Sequence, residues 1–402
     1  MQIRKIISVL LCASMLFGVV ACNSKTEETT EPTSEVSEST EASSEDTTTT
    51  AAQPTVTETT AVIDGLYDPS NPNAVNPVTG VQDMNPLCVG NRIIGVSVNN
   101  YYESFPQRGI STADAIFEFE TEAGKTRFIA LFADLDQCPE IGSMRSGRYV
   151  STDICMSINA VFLYWGANEL VKGYMKSVGL DYVDGNMCSA SFYSADENGD
   201  VELPKNCFFW REQDWKNSKK YENTGVSNGT YLKASMEKYE IDPKGEAPLL
   251  FNFVKGENAS LANAQDCAEV NVYFSSAVPD SNFKYDAEKG LYMKSAKGQP
   301  QIDETTGEQI GFKNVFVVFA NIHQKDTQPD LRDATFTDGG TGYYLSNGKI
   351  VNFTWTQENK TSPFKYFTED GQELQVNIGK SFICVVDNDV KDQTTVYNTV
   401  EE

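Results

Sequence analysis

Three glutamates and two arginines in one short stretch are the residue types best suited to chemistry. Glu118, Glu120 and Glu122 recur at every second position, and Arg145 and Arg148 follow soon after. Carboxylates so spaced can serve as proton donor and as nucleophile or base, the pairing that cleaves glycosidic bonds. They equally suit calcium, which takes carboxylate oxygens. The third reading is a polar sheet face, with glutamates paired across a hairpin to Lys125 or Arg127.

Arg145 and Arg148 lie three apart, beside Ser143 and Ser146, where a helix is predicted to start. Guanidinium forks and backbone N–H groups at such a place suit a carboxylate or phosphate. The internal alternative is that they bind Glu118, Glu120 or Asp114. A partly satisfied Glu–Arg network would join the two readings. The candidate ligand-binding set is Asn99, Asp114, Glu118, Glu120, Glu122, Arg127, Arg145 and Arg148. The three glutamates are catalytic only if the protein is a hydrolase; otherwise no catalytic residue is assigned.

The elements that must hold these groups are legible. Ala115, Phe117 and Phe119 alternate with Ile116, Glu118 and Glu120, as side chains on a strand do. Ala123-Gly124-Lys125 reads as a turn, and Arg127 to Ala133 as a strand apolar enough to be buried on both faces. A strand at Arg92 to Val98, closed by Asn99-Asn100, precedes this hairpin. A helix to about Ser157, a strand at Ala160 to Trp165, a helix capped by Asn168 and ended at Gly179, and a helix from Gly229 to Tyr239 follow.

Other constellations are weaker. His323 is the sole histidine, and nothing near it in sequence supports a nucleophilic triad. Asp196-Glu197-Asn198-Gly199-Asp200 begins like a calcium loop, but the glycine is one place early and Cys207 stands where a glutamate is needed. Gly339-Gly340-Thr341-Gly342 lies between strands with no helix after it, which is a poor phosphate cradle. Trp165, Trp210, Trp215 and Trp355 could line a sugar groove, though core packing explains tryptophans more often. Nine cysteines show no CxxC and no short repeated spacing, so neither structural zinc nor a disulfide framework is expected. No metal or cofactor is assigned.

The chain has 402 residues and a formal charge of −25, with 32 Lys+Arg against 57 Asp+Glu. With no basic cluster, binding to nucleic acid through phosphate neutralisation is excluded. Arg4 and Lys5 precede the apolar run Ile6 to Val20, which is too short to span a bilayer comfortably, and Val19-Val20-Ala21-Cys22 follows. This is a signal peptide over residues 1–21, of the kind cut before a cysteine that is then lipidated, here Cys22. From Asn23 to Val62 nine acidic residues stand against one lysine, among Thr and Ser. Such a tract cannot offset its ordering entropy with apolar burial, so residues 22–62 are expected to form a disordered stalk. Asp242 to Pro248 marks a boundary by its Pro, Gly and charge content. The expected fold class is α+β: a mixed α/β domain over 63–241, then a mostly antiparallel β domain over 249–402, whose short apolar runs are punctuated by turns such as Ser346-Asn347-Gly348.

At the hairpin the chain resembles the YerB-like lipoproteins, bacterial lipid-anchored proteins described by paired domains of unknown function. The resemblance rests on Val96-Ser97-Val98-Asn99-Asn100, on Pro106 to Asp114, on the Phe117 to Phe128 block, on Ile141-Gly142-Ser143-Met144-Arg145-Ser146-Gly147-Arg148 and on Gly348 to Trp355. It departs where the family pattern has histidines: this chain reads Tyr164-Trp165-Gly166-Ala167-Asn168 and Thr224-Gly225-Val226-Ser227-Asn228. The resemblance implies a two-domain layout and an envelope protein held by lipid at the outer face of the cytoplasmic membrane. It implies no reaction. The expected role is non-catalytic binding or scaffolding, with a cell-wall polymer or an envelope protein as partner. The alternatives are an envelope hydrolase using Glu118, Glu120 and Glu122 with Arg145 and Arg148, and a solute-binding lipoprotein.

Overall fold

The hairpin lies at the centre of the molecule. In the computed structural model, Ala115–Glu120 pairs antiparallel with Thr126–Phe132, which in turn pairs with Ile94–Asn99. The structure describes residues 65–196, 200–278, 280–326 and 330–399. The signal segment, Cys22 and the Thr/Ser/Glu tract lie outside the described residues. No described helix is long and apolar enough to cross a membrane.

The main sheet runs in the order Gln265–Asp266, Lys349–Thr356, Gly340–Ser346, Asn314–Asp326, Ser381–Asp387, Ala115–Glu120, Thr126–Phe132, Ile94–Asn99, Val161–Tyr164 and Tyr182–Asp184. Its pairing is mixed. Ser381–Asp387, near the end of the chain, lies between Ala115–Glu120 and Asn314–Asp326 and runs parallel to both. Residues 63–241 and 249–402 therefore share one sheet. The Asp242–Pro248 turn is tied to the first strand's approach, with the Arg92 N–H donating to the Pro243 carbonyl at 2.7 Å.

Strand alternation sorts the core onto two faces. Ala115, Phe117, Phe119, Ile129 and Leu131 pack with Tyr149, Ile154 and Cys155 of helix α1 (Tyr149–Ser157) and Val171 and Met175 of helix α2 (Glu169–Ser177). Asn168 caps α2 through its side chain, as its position predicts. Ile116, Phe128, Ala130 and Phe132 face the other way, onto Val270, Phe283, Tyr292 and Phe312 of a smaller antiparallel sheet and onto Leu232 and Met236 of helix α3 (Gly229–Lys238).

The smaller sheet is what the alternation pattern does not show. It covers Glu118 on the polar face of the hairpin, and with the helices on the other face all six residues of Ala115–Glu120 are buried. The short strands expected after Pro248 are present, and Asn314–Asp326 extends well past its apolar part. The seven described cysteines are free thiols, six of them buried.

Candidate anion site at the arginine cluster

The segment carrying Arg145 and Arg148 is fixed by its backbone. Ile141–Gly142 pairs with Gly225–Ser227. Beyond it the Met144 N–H donates to the Gly225 carbonyl at 2.7 Å, and the Arg145 N–H to the Ser97 carbonyl at 3.0 Å. The Gly147 N–H donates to the Gly166 carbonyl at 3.0 Å. A Cβ at Gly147 would stand 2.5 Å from Met175 Cε and 2.9 Å from Phe162, so a larger residue would have to displace these side chains. The chain is thereby pressed against the ends of two central strands, and α1 begins directly after Arg148.

Three guanidiniums meet at this place. Arg148 grips Glu122 with a two-pronged fork, Nε lying 2.6 Å from Oε2 and a terminal nitrogen bonding Oε1. Arg127, only 3% exposed, donates to the Ser146 carbonyl at 2.6 Å and stands 3.9 Å from Glu122 Oε1. Its Nε is buried with no acceptor. Half-buried Arg145 donates to Asn223 Oδ1 at 2.6 Å, which also accepts from Asn99 Nδ2 at 3.0 Å. Arg145 makes no ion pair among the described residues, and only one of its donors is committed.

The electrostatics follow from this imbalance. Burial opposes ionisation of Glu122, but the Arg148 hydrogen bond and the charges of Arg127 and Arg148 prevail and hold its carboxyl at about 2. Burial, then the neighbouring Arg148 charge, pushes Arg127 down. Burial likewise lowers Arg145, against the pull of Glu222. Arginine stays charged under such pressure, so the cost appears as unneutralised field. Beside the cluster, Arg211 lies between the rings of Trp165 and Tyr221, its Cζ at 4.0 and 4.3 Å from their centroids. Its Nε also lacks an acceptor.

The structure thus brings together Asn99, Glu122, Arg127, Arg145 and Arg148, and separates the rest of the candidate set. Glu118, 1% exposed, accepts from Asn100 Nδ2 at 2.6 Å and Ser281 Oγ at 2.7 Å, and lies 3.8 Å from the fully buried Lys294. Glu120 faces Arg332 at 3.7 Å, and burial raises its pKa. Asp114 sits at the far end of its strand, accepting from Asn76 Nδ2 at 2.9 Å and from the Ala133 N–H at 2.8 Å. Each of the three glutamates has its own cation. Among the described residues no group of three or more His, Cys, Asp or Glu side chains is placed to hold a metal ion.

Sequence reasoning missed Asn223 and Arg211, which come to the site from the far side of the domain. Their only local signal was the aromatic content around Trp210 and Tyr221.

Residues 78–241 match the N-terminal domain, and residues 270–383 the C-terminal domain, of the family described as protein of unknown function (DUF3048). The chain belongs to this family. It is 28% identical over 313 residues to "Putative lipoprotein YerB" of Bacillus subtilis (strain 168), covering 77% of this chain and 85% of that protein. The crystal structure of YerB from Bacillus subtilis is similar with a TM-score of 0.64 and 24% identity, covering 80% of this chain and 99% of that one. This likeness shows the fold.

The stretches Tyr164 to Asn168 and Thr224 to Asn228 border the arginine cluster. Trp165 stacks on Arg211, and the Gly225 carbonyl anchors Met144 next to Arg145.

Proposed function

We propose that this protein is a lipid-anchored envelope protein, held through Cys22 at the outer face of the cytoplasmic membrane, and that it binds rather than cleaves. The anchor is supported by the signal-like N-terminus, with its small residues before Cys22, and by the relative described as a lipoprotein. Its ligand is an oxyanion, a phosphate or carboxylate carried by a wall polymer or an envelope partner. The observation that carries this reading is the charge imbalance beside Glu122: Arg148 and Arg127 face this one carboxylate, and Arg145 next to them has no ion pair among the described residues, in a chain whose total charge is −25. Arg145 is the entry point, because it is half-buried with donors to spare.

The hydrolase reading needs a pair of carboxylates flanking a substrate, one of them protonated. Glu118 is enclosed by Asn100, Ser281 and Lys294, Glu120 faces Arg332, and Glu122 is gripped by Arg148, so each carboxylate is taken up by its own partners.

The test is calorimetric titration of the purified protein with a glycerol-phosphate oligomer and, separately, with wall fragments bearing free carboxylates. Binding that weakens about tenfold in Arg145→Gln supports the reading, since a charged hydrogen bond is worth roughly 1.5–3 kcal/mol. Affinity unchanged in that variant, or release of new reducing ends from wall material, would overturn it.

A further inference from the structure

A second site lies at the opposite edge of the main sheet. An open groove of about 970 Å³ runs over the edge formed by Gln265–Asp266 and Lys349–Thr356. That volume stands at the upper end for ligand clefts, which suits an extended molecule better than a compact one. Its chemistry differs from that of the arginine cluster. Six amide side chains line it (Asn252, Asn263, Gln265, Asn352, Gln372 and Gln375), with three carboxylates and no Lys or Arg among the described residues.

The walls are built before any ligand arrives. On one side, the Ala259 N–H donates to Gln375 Oε1 at 2.9 Å, Ser260 Oγ accepts from the Gln375 N–H at 2.9 Å, and Asn258 Nδ2 donates to the Gln375 carbonyl at 3.0 Å. On the floor, Tyr343 stands directly across from Asn352 in the antiparallel ladder. Asn352 Nδ2 donates to Glu369 Oε1 at 2.9 Å, which orients that amide. Tyr343 is braced edge-on against Phe319, with ring centroids 5.3 Å apart. Ordering these groups in advance lowers the entropy lost on binding.

An anion is rejected by the carboxylates, and so is a nucleic acid. A bulky apolar ligand would leave the amides unsatisfied. An amide offers both donor and acceptor, as does a hydroxyl or acetamido group. A tyrosine ring offers a flat face to the C–H side of a sugar. We infer that this groove binds a neutral polyhydroxylated chain, a glycan with acetamido substituents, independently of the arginine site.

The test uses the soluble tetramer of N-acetylglucosamine as probe, followed by heteronuclear NMR and calorimetry. Saturable binding at a Kd of about 1 mM or tighter is expected. The exposed-residue variants Asn352→Ala and Gln265→Ala should each weaken it about fivefold while leaving the thermal midpoint unchanged, and Tyr343→Ala should weaken it more. Arg145→Gln should bind the tetramer as the wild type does, which separates failure of this site from failure of the anion site. No saturation by about 10 mM would overturn the inference. So would equal affinity in Asn352→Ala, or preference for the deacetylated, cationic tetramer, which would make the carboxylates the determinants.

Discussion

Arg148 and Glu122 form a two-pronged guanidinium–carboxylate pair that closes the turn of the central hairpin onto the start of α1. Paired N–H···O bonds of this kind are stronger and more directional than a point-charge contact. The pair does two jobs: it fixes the turn of the hairpin, and it supplies the one carboxylate that Arg148 and Arg127 share.

Glu122→Gln should therefore destabilise the protein in a pH-dependent way. Its folded pKa of about 2 lies below the usual 4.5, so its contribution is present above about pH 4.5 and is lost as pH falls through 2. The full shift would correspond to roughly 3 kcal/mol; with the side chain 33% exposed, solvent screening brings the expectation to about 2 kcal/mol at pH 7. Urea unfolding of wild type and variant at pH 7 and near pH 2 checks this. Identical midpoints at pH 7 would show the pair to be worth nothing.

Local patterning exposed the hairpin, because alternation and a Gly-containing turn are short-range signals. It also placed α2, because Asn168 caps it by its own side chain. It could not reveal that the polar face of Ala115–Glu120 is covered. The groups that satisfy Glu118 come from far along the chain: Ser281 lies 163 residues away, and Lys294 lies on the next strand of that smaller sheet. The same holds for Asn223, which meets Arg145 across 78 residues and Asn99 across 124. A period-two pattern reports which residues share a face, and the partner of that face is a long-range fact.

The buried Lys294–Glu118 pair gives a second prediction. Lys294 is fully buried, and Ser281 Oγ bridges it to the carboxylate, accepting from Nζ at 3.0 Å and donating to Oε2 at 2.7 Å. Burial pushes the lysine down, against the pull of Glu118. Lys294→Met alone leaves an unpaired buried carboxylate and should cost about 3–5 kcal/mol. Adding Glu118→Gln removes the charge and should recover at least half of that loss. Denaturant unfolding of the two singles and the double measures the coupling; additive losses would mean that the pair does not interact.

Asp114 supplies a pH effect of opposite sign. Burial raises its pKa to about 6, with the Ala133 N–H, Lys380 and Asn76 resisting. A carboxyl held above its unfolded value stabilises the fold at low pH, and that contribution fades as pH rises through about 6. Relative to Asp114→Asn, the wild type should lose about 2 kcal/mol between pH 4 and pH 7. Paired unfolding curves at the two pH values test this, and a gap that does not change with pH would contradict it.

Arg145 should separate binding from folding. Arg148 is held by several internal bonds, Arg127 by near-complete burial, a bond to the Ser146 carbonyl and a looser ion pair with Glu122, and half-buried Arg145 by one side-chain bond, to Asn223. Arg145→Gln loses one half-buried bond to Asn223 and removes a charge from a site crowded with guanidiniums, so stability should change by less than about 1 kcal/mol and can rise. Arg127→Gln, by contrast, strips a buried contact with the Ser146 carbonyl and should cost about 2 kcal/mol or more. If a wall oxyanion is the ligand, Arg145→Gln should also flatten the salt dependence of binding, because one fewer fixed charge meets the anion. Thermal melts of both variants, with oxyanion titrations at low and high salt, decide the matter. A large loss of stability in Arg145→Gln would make this arginine a structural brace and leave the cluster without an open donor.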